Sequence, residues 1–253
     1  MKVAILAGGK GTRIAEETEN KSKAMVLIGD QPILWHVMKY YSSFGLNNFS
    51  IALGYQAGSI ISYFDSLGSR RPALNDADRR VVFPQAEPEW VVELIDTGLE
   101  TMSGGRIKRL ASSIGGERFM LTWCDGLSDV NLDRLMAFHA LHGRLATLTA
   151  IHPPEKFGRL LLDGGLVTSF QEKAVDPRHW VNGAFFVLEP GIFDYIVGDT
   201  IRWEYEPLSQ LAAEGELMAY RHESFWQCMD TSSEARLLND LWRRGNAPWK
   251  RWN

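Results

Sequence analysis

The 253 residues carry a formal net charge of -4 and 45% hydrophobic side chains. That composition suits a chain able to bury a sizeable core and gives no broad basic face for nucleic acid or an anionic membrane. Two cysteines, Cys124 and Cys228, make no disulfide framework and lack the paired spacing of a zinc site, so both are expected to be small buried apolar residues. The opening apolar run meets glycine too soon for a secretory signal and no stretch approaches a membrane span, so a cytoplasmic protein is expected.

In chain order, Val3-Ala4-Ile5-Leu6 reads as a buried strand that empties into Ala7-Gly8-Gly9-Lys10-Gly11-Thr12-Arg13. Apolar residues at Ile33, Leu34, Val37 and Tyr41 predict a helix over Pro32 to Phe44, followed by a strand from Phe49 to Leu53 and a short helix from Ile60 to Phe64. The stretch from Gly68 to Asp96 is less regular, with strand candidates at Val81-Val82-Phe83 and Val91 to Ile95. Phe119 to Trp123 is a strongly apolar strand ending in an acidic turn, and a helix from about Asn131 to His142 follows. Leu145 to Ile151 is β-rich, and Leu160 to Phe170 reads as a hairpin turning at Asp163-Gly164-Gly165. Gly183 to Leu188 is expected to join that hairpin in a layer added to the core, and the last helix runs from about Ser232 to Arg244. Alternating strands and helices predict one α/β domain over 1–253, a Rossmann-like, mostly parallel sheet with helices on both faces.

The glycine run is the strongest chemical signal. Glycines let the backbone turn tightly and bring bare N–H groups against an anion. The spacing is neither G-x-x-x-x-G-K-[ST] nor G-x-G-x-x-G, so neither a mononucleotide P-loop nor a dinucleotide fingerprint is present. The run lies at the carboxyl end of a strand, where open α/β sheets bind ligands, and Arg13 and Lys23 add positive charge. Nucleotide binding is therefore favoured over an ordinary strand-to-helix turn.

Met1 to Arg13, Glu16-Glu17-Thr18, Lys23, Met25 and Pro32-Ile33-Leu34-Trp35-His36 together resemble the start of the glucose-1-phosphate cytidylyltransferases, within the sugar-phosphate nucleotidyltransferases. The resemblance continues to Ala247, Pro248, Trp249 and Lys250. It implies the nucleotide-diphospho-sugar transferase fold with a small β-hairpin sugar-binding layer. It also implies attack by a sugar 1-phosphate on the α-phosphorus of CTP, dependent on Mg²⁺, in a homo-oligomer. The alternatives are another sugar 1-phosphate, UTP or dTTP in place of CTP, or a catalytically silent nucleotide-sugar-binding relative.

On this resemblance Leu6, Ala7, Gly8, Gly9, Gly11, Thr12, Arg13, Lys23, Arg106 and Asp125 meet the nucleotide, with Arg13, Lys23 and Lys173 catalytic. Glu172, Lys173, Asn182 and Gly183 meet the sugar and its phosphate. Asp125, directly after a strand, and Asp230, in a Met-Asp-Thr, are the metal ligands, since Mg²⁺ is usually held by one or two carboxylates plus phosphates and water. Asp230 taken alone reads as the cap of the following helix, and Asp129 is also expected to be a cap. Asp96-Thr97-Gly98 and Thr101 to Arg106 match the family's base-reading stretch, where a guanidinium could donate to cytosine O2 and N3. Selection against uracil also needs an acceptor at cytosine N4, for which a backbone carbonyl is a candidate that the sequence does not show. Trp203-Glu204-Tyr205-Glu206-Pro207-Leu208 matches W-E-x-E-P-L, whose carboxylates either meet sugar hydroxyls or precede a helix starting at Pro207. Trp226 is read as core.

Four departures lie near the substrates. The family's P-K-P-M is Ser22-Lys23-Ala24-Met25, so Lys23 is expected to be held less rigidly. Its G-D-G is Cys124-Asp125-Gly126, the proline after Glu-Lys is Ala174, and a lysine after Gly-Tyr is Gln56. Lys156 and Arg159 add charge nearby.

Overall fold

The computed structural model describes residues 1–11, 18, 20–67, 69–71, 78–83, 89–153, 159–171 and 179–252. The first half contains β1 (Lys2–Leu6), a 3-10 turn (Lys23–Met25), β2 (Leu27–Ile28), β3 (Gln31–Pro32), α1 (Ile33–Ser42), β4 (Asn48–Leu53) and α2 (Ala57–Leu67). Then come β5 (Ser69–Arg71), β6 (Asp78–Phe83), β7 (Trp90–Asp96), α3 (Ser103–Arg109), α4 (Ala111–Ile114), β8 (Phe119–Trp123) and β9 (Gly126–Ser128). The second half holds α5 (Leu132–His142), β10 (Ala146–Ile151), β11 (Arg159–Asp163), β12 (Leu166–Gln171) and β13 (Val181–Leu188). It closes with a 3-10 turn (Pro190–Tyr195), α6 (Glu206–Ala213), β14 (Leu217–His222), β15 (Trp226–Cys228) and α7 (Ser232–Arg243).

The main sheet has nine strands in the order β14-β10-β13-β8-β1-β4-β7-β6-β5. All run one way except β6 and β13. The apolar run of β1 is buried on both faces because helices cover both: Val3 and Ile5 enter one core with α1, while Ala4 and Leu6 enter the other with α3 and Trp203. In register, Ile5 lies between Ile51 of β4 and Thr122 of β8. The carboxyl ends of β1 and β8 therefore lie side by side, as the glycine loop and Asp125 require.

The expectation for Gly183 to Leu188 needs correction. This segment is part of β13, paired antiparallel between β8 and β10 in the centre of the main sheet. Its burial explains the placement: Phe185, Phe186, Val187 and Leu188 are all at most 1% exposed, which no added outer layer would provide. Only β11 and β12 form the separate hairpin, turning at Gly164, where φ is +56°. The sequence reading also missed β14, which forms the edge beside β10, and the short β9–β15 ribbon.

Candidate active site

Beyond β1 the loop is fastened to its neighbours by backbone bonds. Ala7 N–H donates to Ala52 O at 3.0 Å, Tyr55 N–H to Gly8 O at 3.1 Å and Cys124 N–H to Leu6 O at 3.2 Å. Each of two glycines has its own reason to be glycine. A Cβ on Gly8 would stand 2.3 Å from Arg106 Nη1, and Gly11 holds φ at +59°.

The β9–β15 ribbon brings the two predicted metal ligands together. Gly126 pairs with Cys228, and Met229 N–H donates to Asp125 O at 2.9 Å, so Asp125 and Asp230 emerge side by side from opposite strands. Thr231, not Asp230, caps α7: its hydroxyl accepts from Glu234 N–H while the Glu234 carboxylate accepts from the Thr231 N–H, a capping box. The Asp230 carboxylate is thereby left to face the cleft. Asp129 is likewise no cap. Asn131 accepts from Arg134 N–H at the start of α5, and Asp129 instead accepts from Ser224 Oγ at 2.7 Å and lies 3.1 Å from His222 Nε2.

Lys23 stands between the carboxylates, with Nζ 2.5 Å from Asp125 Oδ2 and 2.5 Å from Asp230 Oδ1. It is 9% exposed. Burial opposes its charge, but the two aspartates more than offset that, so its pKa lies above the ordinary lysine value. The loss of two prolines does not leave the lysine loosely anchored. Ser22 Oγ accepts from Ala24 N–H at 3.3 Å, and Ser22 N–H donates to Ser59 Oγ at 2.9 Å, tying the turn to α2. A single cationic centre within 2.5 Å of both carboxylates shows that one divalent ion can touch both, so Asp125 and Asp230 fit the donor set that Mg²⁺ takes. Among the described residues no group of three or more His, Cys, Asp or Glu offers a denser metal cage. Burial and Asp125 push the Cys124 thiol up to about 12, and burial with Asp230 pushes Cys228 to about 12, so neither is a thiolate nucleophile.

These groups line a cleft of about 630 Å³. Leu6, Ala7, Gly8, Gly9, Gly11, Lys23, Arg106, Asp125 and Asp230 all border it, together with Lys10, Ser103, Trp123, Glu204 and Tyr205. At its lip, Lys10 of the glycine loop pairs with Glu100 at 3.1 Å.

Arg106 needs a closer correction. Its Nη1 donates to Leu53 O, Thr97 Oγ1 and Gly98 O at 2.8, 2.7 and 2.8 Å, and Nη2 donates to Leu99 O at 3.1 Å. The guanidinium is therefore not an open fork awaiting a base. It braces the ends of β4 and β7 beneath the glycine loop, and the Asp96-Thr97-Gly98 turn serves that bracing: Asp96 Oδ1 accepts from Gly98 N–H, and Thr97 is fully buried.

Asn182 and Gly183 do not border this cleft. Asn182 Oδ1 accepts from Ala184 N–H at 2.8 Å, and Ala184 holds a positive φ of 61°. Gly183 O accepts from the indole of Trp226, which packs against the core as expected. Glu206 opens α6 with Pro207 in its first turn, which bears out the helix alternative for that carboxylate. Thr12, Arg13, Lys156, Glu172, Lys173 and Ala174 lie outside the described residues. The sequence reading missed the pairing of Ser103 with Glu204. Its only signal was the resemblance of both segments to family motifs, and nothing local links residues 101 positions apart.

No described helix is long and apolar enough to cross a membrane. The nucleotidyl transferase family model matches residues 2–231. The chain is 47% identical to the glucose-1-phosphate cytidylyltransferase of Salmonella typhi over 257 aligned residues, covering all of both chains. It is 47% identical over the same coverage to the enzyme of that name from Salmonella typhimurium. A solved UDP-glucose pyrophosphorylase complexed with UDP-glucose superposes with a TM-score of 0.70, covering 96% of this chain and 98% of that one. At 16% identity that likeness bears on the fold alone. With its cleft at the carboxyl ends of β1 and β8 and these relatives matched end to end, the chain belongs to the nucleotidyl transferase family, among the glucose-1-phosphate cytidylyltransferases.

Proposed function

We propose that the chain transfers the cytidylyl group of CTP to glucose 1-phosphate with Mg²⁺, releasing pyrophosphate and CDP-glucose. The observation that carries the site assignment is Lys23 held between Asp125 and Asp230 at the foot of the glycine loop. A phosphate monoester has a second pKa of about 6, so the attacking oxygen of glucose 1-phosphate is already ionised at neutral pH and needs no general base. That oxygen forms the new bond to the α-phosphorus of CTP, and the bond to the β-phosphate oxygen breaks with its electrons leaving on pyrophosphate. The protein's part is alignment and charge stabilisation.

The loop from Gly8 to Gly11 offers backbone N–H groups to the phosphates. Asp125 and Asp230 keep Lys23 charged where the triphosphate enters. Bound by the two aspartates, Mg²⁺ would supply Lewis-acid stabilisation of the phosphate charge. By family resemblance Arg13 adds charge to the nucleotide phosphates, Lys173 holds the attacking phosphate and Glu172 meets the sugar, whereas Asn182 and Gly183, which lie off this cleft, are left to shape β13. We read the chain as one catalytic domain that works in the cytoplasm as a homo-oligomer, without nucleic acid or a membrane as partner.

Pyrophosphate release measured for several nucleoside triphosphates crossed with several sugar 1-phosphates tests the proposal. Release is expected with CTP and glucose 1-phosphate in the presence of Mg²⁺. Release only with another pair overturns the substrate assignment, and no release with any pair points to a silent relative.

A further inference from the structure

The cleft that must admit two polyanions also presents a carboxylate, Glu204. A carboxylate repels phosphate unless a cation stands between them, as Lys23 does at Asp125 and Asp230, so the substrate group that suits Glu204 is a hydrogen-bond donor. Its setting says which. Ser103 Oγ donates to Glu204 Oε2 at 2.5 Å and accepts from Trp203 N–H at 3.0 Å, so the serine hydrogen is already committed to Glu204. Around it, Met102 N–H donates to Asp199 O at 2.8 Å and Gly104 N–H to Ile201 O at 3.0 Å, binding the start of α3 to the 199–204 segment. Ser103 and Arg106 stand three residues apart on α3 and therefore on one face of it. Glu204 is thus fastened one side chain away from Arg106, the corner to which the family resemblance assigns the base.

We infer that Glu204 accepts the exocyclic N4 amine of cytosine and so sets the choice of CTP over UTP; this rests on the CTP reading above. Cytosine shows acceptors at O2 and N3 and a donor at N4, whereas uracil shows an acceptor at O2, a donor at N3 and an acceptor at O4. The Arg106 guanidinium is committed to Leu53 O, Thr97 Oγ1, Gly98 O and Leu99 O and only donates, so it does not select against uracil O4. An ionised carboxylate only accepts: it gains a charge-assisted bond to N4 and sets negative charge against O4. A polar group placed to pair with one substrate atom rejects the analogue that leaves it unpaired, typically by roughly 10-fold to 100-fold for one such contact.

The experiment is kcat/KM for CTP and for UTP at fixed glucose 1-phosphate, with calorimetric binding of each nucleotide, in the wild type and in Glu204→Gln. A glutamine amide can accept from N4 or donate to O4. Glu204→Gln is therefore expected to narrow the CTP-to-UTP ratio by roughly 10-fold or more, in turnover and in binding, with the KM for glucose 1-phosphate unchanged. Because Glu204 is exposed, the variant is expected to fold, and an unchanged melting temperature checks this. Equal losses with both nucleotides would mean that Glu204 merely braces α3, and would overturn the inference. So would a rise confined to the glucose 1-phosphate KM, which would make a sugar hydroxyl the partner. A wild type without preference for CTP overturns the substrate reading itself, whereas an intact preference that survives Glu204→Gln overturns only the role of Glu204.

Discussion

Lys23 and Arg106 are both buried cations that line one cleft, yet their partners differ in kind. Lys23 faces two carboxylates, and its pKa is raised. Arg106 faces three carbonyls and a hydroxyl, and burial lowers its pKa. The first arrangement is a balance of full charges that a substrate or metal can rearrange. The second is a cation held by neutral dipoles, and disturbing it leaves carbonyls at two strand ends without their donor. The phosphate end of the cleft is thus built for chemistry and the loop-bracing corner for shape. His36 completes the contrast as a buried nitrogen base kept neutral. Its Nε2 lies 2.8 Å from Ile28 O and its Nδ1 3.3 Å from the donating Trp249 indole, so a second ring proton would confront a donor.

The contrast breaks if the two cations respond alike. Removing one metal-site carboxylate in Asp125→Ala should cut turnover by roughly 10³-fold while the chain still folds, with a lower melting temperature because Lys23 loses one of its two partners. Substantial residual turnover in that variant would remove Asp125 from the metal site.

Arg106→Ala should do the reverse in kind, lowering stability by about 3 kcal/mol through a cavity and several orphaned acceptors. Urea unfolding measures this, and a change under about 1 kcal/mol would mean that water replaces the guanidinium without loss.

The third test uses pH. Burial lowers the His36 pKa to about 4 from 6.5, against weaker opposing effects of Ile28 O and Asp30. The folded pKa lies below the unfolded one, so this stabilisation is present above pH 6.5 and is lost as pH falls toward 4. The loss is on the order of 2–3 kcal/mol across that window, and His36→Gln, which does not titrate, should flatten it. An unchanged slope in the variant would assign the acid sensitivity to other groups.

The smallest effect is expected in β13, where Ala184 stores backbone strain at a φ of 61°. Ala184→Gly should raise stability by about 0.5 kcal/mol, since relief of the strain outweighs the added freedom of the unfolded chain. A fall in melting temperature would show that the alanine methyl packs more usefully than its dihedral costs.

Much of this protein was legible in order of residues alone. The strand of β1, the glycine turn, the acidic turn after β8 and the last helix all follow from local periodicity and turn chemistry, which depend only on near neighbours. Family motifs named Lys23, Asp125 and Asp230 as a set. What the sequence could not express is pairing across distance. Lys23 meets Asp125 and Asp230 across 102 and 207 residues, and the β9–β15 ribbon that aligns the two aspartates was invisible to local pattern.

The same limit explains each correction. An Asp before a helix looks like its cap until Thr231 and Glu234 are seen to fill that role. A central strand and an outer one share a two-residue period, so only the neighbours of β13 decided its place between β8 and β10. The sequence by itself determined the strongly patterned elements and which chemical groups the chain carries, because propensity and spacing are local. The tertiary structure decided which charges meet, which donors are already committed and which carboxylates face the cleft, because burial and hydrogen bonding are set by residues far apart in the chain.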